Sequence, residues 1–534
     1  MKQKFFQHKT TWILGGILLL GLIVRLINIQ AEPLWGDEIL SLDIYSDKFS
    51  GLSFSQMITY IREVEVHPPL YYILMRGWTA LFGASNFSIR LPSLLAGLGM
   101  ILLGYKFATS LLKSQRAGLI SAFFIAILPI QIEFGQEARP YTLFSLLGLI
   151  AAYCLWQLRS KQKNVYLLGY VASGVAALYL HYSAFFILAG LAGWWLIDLI
   201  QSRECLKGYS TWLGAHGLIL LGFFWWLPTF FYKYLIGQFL VTELPRNLQL
   251  LRTVNFFPDL FYQIIWTSKE NALLHLTLAL IFIAIILTII CVVIRLTSIN
   301  QEESKPSGKA IGYIASLIII PSLLFVIAPQ SVNYTTIVVK HLLFITIPIS
   351  LLFGFVLSGT ARKIYVIGLI CLSGSLIPFQ TTIIANDADW DWNHRIEEAA
   401  DFINQHYKPG DLVVIHSAIG RTNLTHFLNN DIPVASIMPL GYFGDDVRAS
   451  RHQLGFIENE YQFRISEPDL VGSQQKLDRL TSQYAAKRVW LYDVKSDDAI
   501  VRDWFTARGW RHNIQALDPI FLLDLYVNSP PHGL

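Results

Sequence analysis

Residues 90–112 read RLPSLLAGLGMILLGYKFATSLL, and residues 116–133 follow with RAGLISAFFIAILPIQIE. Each run is close to the length of about 20 mostly apolar residues that a helix needs to cross a bilayer. Only the short polar connection 113–115 separates them. Long apolar runs joined by short polar turns are typical of a chain that crosses a membrane repeatedly.

Further apolar runs lie on both sides of this pair, at residues 11–29, 140–158, 164–181, 183–200, 211–230, 272–294, 310–328, 342–359 and 363–382. Hydrophobic residues make up 54% of the 534 residues and charged residues only 15%, whereas soluble domains carry about 25% charged residues. The sequence therefore predicts a mainly α polytopic membrane protein with about eleven transmembrane helices. The first run contains Arg25 and no small-residue cleavage site, so we expect an uncleaved helix rather than a signal peptide.

Basic residues alternate along the connections between these runs. The N-terminus carries Lys2, Lys4 and Lys9, and every second later connection is basic. The positive-inside rule then places the N-terminus in the cytoplasm. Four segments face outward in this arrangement: a long first loop at about 30–89, two loops at 231–271 and 329–341, and the tail from residue 383.

The tail changes in composition at Asn386, where alternating polar and apolar residues replace the long apolar runs. Its pattern predicts helices at 397–407, 423–428, 473–486 and 498–508, and strands at 412–416, 432–437, 488–492 and 520–527. We therefore predict two domains, a transmembrane domain at 1–382 and an α/β extracytoplasmic domain at 383–534. The tail has no glycine-rich phosphate-binding motif, and no nucleic-acid partner is expected.

The first outer loop, 30–89, carries carboxylates close to the predicted membrane surface. Asp37 and Glu38 adjoin Trp35, and the same loop contains Glu65 and His67. A carboxylate near lipid headgroups is suited to act as general base for an acceptor hydroxyl, although two adjacent acids are more often simply solvated. His67 precedes Pro68 and Pro69, so it either has a structural role at the start of an interfacial helix, binds a metal ion or, with Tyr141 further along the chain, binds substrate.

A second group of ionisable residues lies at the other outward turns. Glu137, Arg139 and Tyr141 lie between two apolar runs, His181 occupies the next outward turn, and Lys340 precedes the tenth run. Glu137 and Arg139 either pair at the interface or line a substrate site, where Arg139 would grip a phosphate. His181 either caps a helix or binds substrate, and Lys340 either extends to the interface or binds a lipid phosphate.

These residues all fall at one predicted membrane face, whereas a transporter more often has its polar groups near the bilayer midplane. This placement favours an enzyme. A transporter or flippase of lipid-linked glycans, and a polysaccharide polymerase or ligase, remain as alternatives. A divalent metal held by Asp37, Glu38 and His67 also stays open, and no other cofactor is expected.

Three motifs together resemble a known family: residues 35–38 (WGDE), 67–72 (HPPLYY) with 90–93 (RLPS), and 135–141 (GQEARPY). They look like the bacterial members of the protein O-mannosyltransferase and aminoarabinose-transferase superfamily, of the GT-C fold class. The resemblance covers about residues 11–382. It implies location in the bacterial cytoplasmic (inner) membrane and an active site on the outer, periplasmic side.

The resemblance also implies the chemistry. The donor would be a sugar on a polyprenyl or dolichyl phosphate, and its transfer would invert the anomeric centre. Asp37 would be the catalytic base, Glu38 and Glu137 would contact the sugar or acceptor, and Lys340 would hold the lipid phosphate. The acceptor, whether protein, lipid or polysaccharide, is not indicated.

Overall fold

A computed structural model of the chain describes residues 2–232 apart from 28, 31–32, 47–51, 64 and 66, together with 308–327, 343–358 and 388–415. It also describes 424–436 without 425 and 430, 477–494 without 480 and 484, 504–516 and 521–528. The chain divides into two compact units. The first is Met1–Ile29, Glu65–Leu74 and Phe87–Asp387, and the second is Gln30–Val64, Met75–Asn86 and Ala388–Leu534.

The helices up to residue 358 are, in chain order, α1 Lys2–Leu26, α2 Gly36–Tyr45, α3 Phe54–Glu63, α4 Leu70–Phe82, α5 Asn86–Leu112, α6 Gln115–Ile127, α7 Pro129–Gln136, α8 Tyr141–Lys161, α9 Asn164–Leu180, α10 Ala184–Gln201, α11 Leu206–Phe223, α12 Gly308–Ile327 and, after a short 3-10 turn at Leu343–Ile345, α13 Thr346–Ser358. Neighbouring helices pack as α8 with α9, α6 with α13, and α10 with α12.

Nine of the predicted apolar runs overlap described helices, while the runs 272–294 and 363–382 lie outside the described residues. Among the described helices, four are long and apolar enough to cross a membrane, or five if a bent pair counts as one span. The chain is therefore a multi-pass membrane protein, and the number of eleven spans stays a prediction. The predicted outer loops 231–271 and 329–341 also lie almost entirely outside the described residues.

The bent pair replaces the single helix predicted at 116–133. Helix α6 ends at Ile127, α7 begins at Pro129, and the two are inclined by 56°. Proline fits the first position of a helix, where no backbone N–H is needed, but it cannot donate a hydrogen bond inside a continuing one. The sequence Leu128-Pro129 therefore ends one helix and starts the next.

Arg25 of α1 fastens this bend from inside the helix bundle. Its side chain is fully buried, and Nη1 donates hydrogen bonds to the carbonyl oxygens of Gly21 (3.1 Å) and Ala126 (2.9 Å). Nη2 donates to the carbonyl oxygens of Ile125 and Gln131, each at 3.1 Å. The last four carbonyl groups of a helix have no hydrogen-bond partner within the helix. The Arg25 guanidinium supplies a partner to two of these groups in α6, those of Ile125 and Ala126.

The Arg25 side chain fits because two glycines face it. A Cβ atom built on either Gly97 or Gly135 would lie 2.9 Å from Nε of Arg25, which is closer than real Cβ contacts come. Gln136 adds two further bonds, from Nε2 to the carbonyl oxygens of Arg25 and Ile27. The end of α1 and the start of the 129–141 segment are thus fixed to each other.

An ion-pair network joins three helices at their predicted cytoplasmic ends. Asp198 of α10 accepts from Nε of Arg159 in α8 at 2.7 Å, and its other oxygen lies 2.6 Å from Nζ of Lys309 in α12. Arg159 also donates to Glu204 at 2.9 Å. Because the Asp198 side chain is only 5% exposed, solvent screens these interactions weakly.

We expect Asp198→Asn to destabilise the protein by on the order of 3 kcal/mol, because the mostly buried Arg159 loses its shorter ion pair and Lys309 loses the buried anion that it contacts. The thermal unfolding midpoint in detergent measures this change. Glu204→Gln is the matched control, since the Glu204 side chain is 28% exposed and, among the described residues, pairs with one cation rather than two, so it should have a smaller effect. Equal midpoints for Asp198→Asn and the wild type would rule out a stabilising role for the network.

The second unit contains α2 and α3 of the first loop and a sheet formed by the tail. Helix α14, Ala388–His406, precedes β1 Asp411–Ile415, β2 Val434–Ser436, β3 Arg488–Val494, β4 Trp510–Ala516 and β5 Phe521–Asn528. The strand order is β2-β1-β3-β5-β4. Strands β2, β1 and β3 are parallel, whereas β5 is antiparallel to β3 and β4.

Strand β1 is buried on both faces because alternate residues pack in separate clusters. Val413 and Ile415 pack in a cluster that includes residues of α14, while Leu412 and Val414 pack with Trp504 and other residues of the later chain. At the start of the strand, the Asp411 carboxylate accepts two hydrogen bonds from Arg488 and one, at 3.0 Å, from the indole of Trp490. The predicted strands 412–416, 432–437, 488–492 and 520–527 all overlap observed ones.

Candidate active site

The segment before α4 holds a carboxylate and an imidazole in direct contact. Oε1 of Glu65 lies 2.6 Å from Nδ1 of His67 and accepts a second hydrogen bond, at 3.1 Å, from the backbone N–H of His67. Pro68 and Pro69 follow, and α4 begins at Leu70. Because a carboxylate only accepts, Nδ1 of His67 carries the proton, and Nε2 is the acceptor when the ring is neutral.

Glu65 is ionised in this environment. Burial by itself would raise its pKa, but the hydrogen bond and charge of His67, and then the charge of Arg139, lower the pKa to about 2. The pKa of Tyr72, in contrast, is raised well above its usual value, first by burial and then by the negative charge of Glu65. Glu65 thus supplies a permanent negative charge that His67 and Arg139 balance.

Arg139 reaches this region from the turn between α7 and α8. It is 4% exposed, and its Cζ lies 5.7 Å from the ring centroid of Tyr141 at the start of α8. The turn is held at both ends, because Ser93 donates to the carbonyl oxygen of Arg139 and Thr142 donates to that of Phe134. A guanidinium presents several N–H donors in one plane, which suits it to bind a phosphate oxygen pair.

His181 completes the cluster from the end of α9. Its Nδ1 accepts the backbone N–H of Ser183 at 3.0 Å, so the neutral ring carries its proton on Nε2. The ring stacks on Phe144 with 4.9 Å between centroids, and lies 5.2 Å from His67 and 5.6 Å from Tyr141. Of the predicted site residues, the structure brings together His67, Arg139, Tyr141 and His181.

The other predicted site residues are placed as follows. Glu137 ends α7 two residues before Arg139 and is half-buried. Asp37 and Glu38 belong to the second unit, in the first turn of α2. Glu38 is fully buried and its Oε2 accepts the backbone N–H of Trp35 at 3.3 Å, while Asp37 is half-buried. Lys340 lies outside the described residues.

Glu65, Tyr72 and Phe144 were not predicted as site residues. The sequence does contain a signal for the first, since a carboxylate two positions before a histidine can bind its Nδ1. Phe144 carries no such signal because its contact with His181 is set by the packing of α8 and α9. Within the described part of the chain, no three His, Cys, Asp or Glu side chains form a group that could hold a metal ion.

Comparisons with known proteins show what the sequence and the fold resemble. Residues 66–227, which include the whole cluster apart from Glu65, match the model of the family described as dolichyl-phosphate-mannose-protein mannosyltransferase. Among solved structures, ArnT from Cupriavidus metallidurans in the apo state is 11% identical, with a TM-score of 0.60, covering 97% of this chain and 98% of that one. A search of curated proteins finds no match.

The same ArnT bound to undecaprenyl phosphate is 12% identical, with a TM-score of 0.61 and the same coverage of both chains. At such low identity the likeness establishes the fold alone, which is similar to that of ArnT. The family match at residues 66–227 and this fold together confirm the resemblance to GT-C class transferases that the sequence motifs indicate.

Proposed function

We propose that this chain is an inverting glycosyltransferase. It moves a sugar from a polyprenyl-phosphate-linked donor to an acceptor hydroxyl on the outer face of the cytoplasmic membrane. The observation that carries the proposal is the buried group of Arg139, His67 and His181 around an ionised Glu65. It lies in a region similar to mannosyltransferases, and the ArnT of similar fold binds undecaprenyl phosphate.

The reaction is a direct displacement at the anomeric carbon. The lipid-linked donor enters from the outer leaflet, and Arg139 and Lys340 bind its phosphate. The acceptor hydroxyl approaches from the aqueous side, and Asp37 takes its proton as the new bond from oxygen to the anomeric carbon forms. The bond between that carbon and the phosphate oxygen breaks, and its electron pair leaves with the phosphate.

Each group of the cluster has a part in this scheme. The phosphate departs as an anion, so no general acid is required, and nearby donors stabilise its growing charge. Arg139 supplies a cation, and Nε2 of His181 supplies a neutral N–H donor. The sugar or acceptor is contacted by Glu38, Glu137 and Tyr141. Glu65 orients His67 so that Nε2 of the imidazole faces the lipid-linked sugar.

Purified protein in detergent with a radiolabelled polyprenyl-phosphate sugar tests this function. A transferase consumes the donor and releases polyprenyl phosphate without other factors. A flippase would move the donor across proteoliposomes unconsumed, and a polymerase or ligase would accept only a lipid-linked oligosaccharide. Failure to consume any polyprenyl-phosphate sugar, with acceptor hydroxyls supplied, would refute the proposal.

We expect Glu65→Gln to raise the KM for the donor about tenfold, because the hydrogen bond that orients His67 loses its charge. The turnover number should change less, since Glu65 acts through His67 rather than on the reacting atoms. Glu63→Gln is the matched control, an exposed glutamate two residues earlier that should behave as the wild type. A variant with unchanged KM would remove Glu65 from the site.

The same substitution has a signature in the pH dependence of stability. The pKa of Glu65 falls from its usual 4.5 to about 2 in the folded protein. Its contribution to folding is therefore complete above pH 4.5 and is lost as the pH falls towards 2. We expect unfolding midpoints to fall less between pH 5 and pH 3 for Glu65→Gln than for the wild type.

A further inference from the structure

The second unit contains a groove of about 730 Å³ that the proposed reaction does not use. It lies between the helical residues 477–479, 481–483 and 504–507 and the starts of β3 and β4. Its walls combine two indoles, three cations, one carboxylate and two hydroxyls: Asp478, Thr481, Ser482, Ala485, Ala486, Lys487, Arg488, Trp504, Arg508 and Trp510. Ligand sites in proteins occupy about 300–1,000 Å³ and combine apolar surface with a few polar groups in this way.

Two indoles form the aromatic part of the groove. Trp510 is half-buried and packs edge-to-face on Phe505, with 5.4 Å between ring centroids. Trp504 is 2% exposed, and among the described residues its Nε1 has no hydrogen-bond partner. Trp504 therefore forms the floor of the groove, covered by Arg508, whereas Trp510 presents part of its ring to the groove.

The charged groups are held in place and are mainly positive. Arg508 donates to both oxygens of Asp478 at 2.9 Å, and its Cζ lies 4.4 Å from the ring centroid of Trp504. Arg488 is fixed by its ion pair with Asp411. Lys487 is exposed, and in the described part of the chain no ion pair involves it, so it is the cation best placed to meet an outside anion.

We propose that this groove binds an acidic saccharide, one that carries a carboxylate or phosphate. The half-buried indole of Trp510 matches the apolar C–H face of a pyranose ring, while the hydroxyls of Ser482 and Thr481 match the hydroxyls of the sugar. Lys487 and the edges of the two arginines match the acidic substituent.

The shape and the burial of the groove favour a sugar over a membrane surface as its ligand. A segment that lies on a bilayer presents exposed apolar side chains beside its basic ones. Here one indole is buried and the other half-buried, and both line a concavity. The proposal is independent of the transferase reaction, because the groove lies in the tail and contains none of the residues of the candidate active site.

Isothermal titration of the full-length protein in phosphatidylcholine nanodiscs tests the proposal. The probes are hyaluronan tetrasaccharide, which carries carboxylates, and neutral maltotetraose. We expect the wild type to prefer the acidic probe, Lys487→Glu to bind it about tenfold more weakly, and Ser482→Trp, which fills the groove with an exposed side chain, to lose binding.

Lys408→Glu is the charge-matched control, since Lys408 is an exposed lysine of the same unit outside the groove, and it should bind as the wild type does. The proposal is wrong if neither probe binds or if all three variants bind equally. It is also wrong if phosphatidylglycerol vesicles, rather than the saccharide, bind in a manner that depends on Lys487. None of these results depends on whether the protein transfers sugar.

Discussion

Asp37→Asn should lower the turnover of lipid-linked sugar by about 10²–10⁴-fold, the range that general base catalysis contributes. Asparagine has the size of aspartate but cannot take a proton from the acceptor hydroxyl. The local fold should persist, because asparagine keeps the shape of the side chain and the Ser41 hydroxyl still donates to the backbone carbonyl of residue 37 at 2.8 Å. The initial rate of donor consumption by purified enzyme measures the effect.

Two controls make this result interpretable. The thermal unfolding midpoint of Asp37→Asn should equal that of the wild type, which excludes a loss of folded protein. Glu63→Gln, an exposed acidic residue of the same loop, should keep full activity. If Asp37→Asn retains wild-type turnover under saturating donor and acceptor, another group takes the proton.

The second large effect is expected for Arg25→Met, which keeps an unbranched side chain but removes every donor. The four carbonyl oxygens that Arg25 satisfies would lose this partner in a buried setting. Each unmade buried hydrogen bond costs about 1–3 kcal/mol, whereas whole proteins are stable by only about 5–15 kcal/mol. We expect the unfolding midpoint in detergent to fall sharply, or the protein not to accumulate.

A double-mutant cycle with Gly97 separates this packing from a general loss of stability. Gly97→Ala alone should destabilise the protein, because the new methyl group would meet Nε of Arg25 at 2.9 Å. In the Arg25→Met background the flexible thioether can move aside, so the same change should cost less. Strictly additive effects of the two substitutions would contradict the contact.

The helical part of the fold could be predicted from the sequence because apolar run length alone identifies it. The bend between α6 and α7 could not, since a hydropathy run is equally apolar whether the helix is straight or broken. Strand β4, with the sequence WRHNIQA, was missed because its residues are mostly polar. Among the described strands β4 is at the edge of the sheet, where it pairs with β5. An edge position does not require an apolar pattern.

The candidate site was only partly predictable for a different reason. Sequence identified His67, Arg139 and His181 as polar residues at predicted membrane boundaries. Their convergence depends on how α4, α8 and α9 pack, and no local pattern encodes a contact between positions more than a hundred residues apart. Glu65 acquires its role from that convergence, through the charges of His67 and Arg139 together.

The Arg25 contacts also set an order of events during biosynthesis. Two of the carbonyl oxygens that accept hydrogen bonds from its guanidinium belong to Ile125 and Ala126, which follow Arg25 by 100 and 101 positions in the chain. At a synthesis rate of about 5–20 residues per second, they leave the ribosome about 5–20 s after Arg25. An arginine in a spanning segment opposes insertion, so the first segment should remain incompletely inserted until α6 and α7 arrive to accept it.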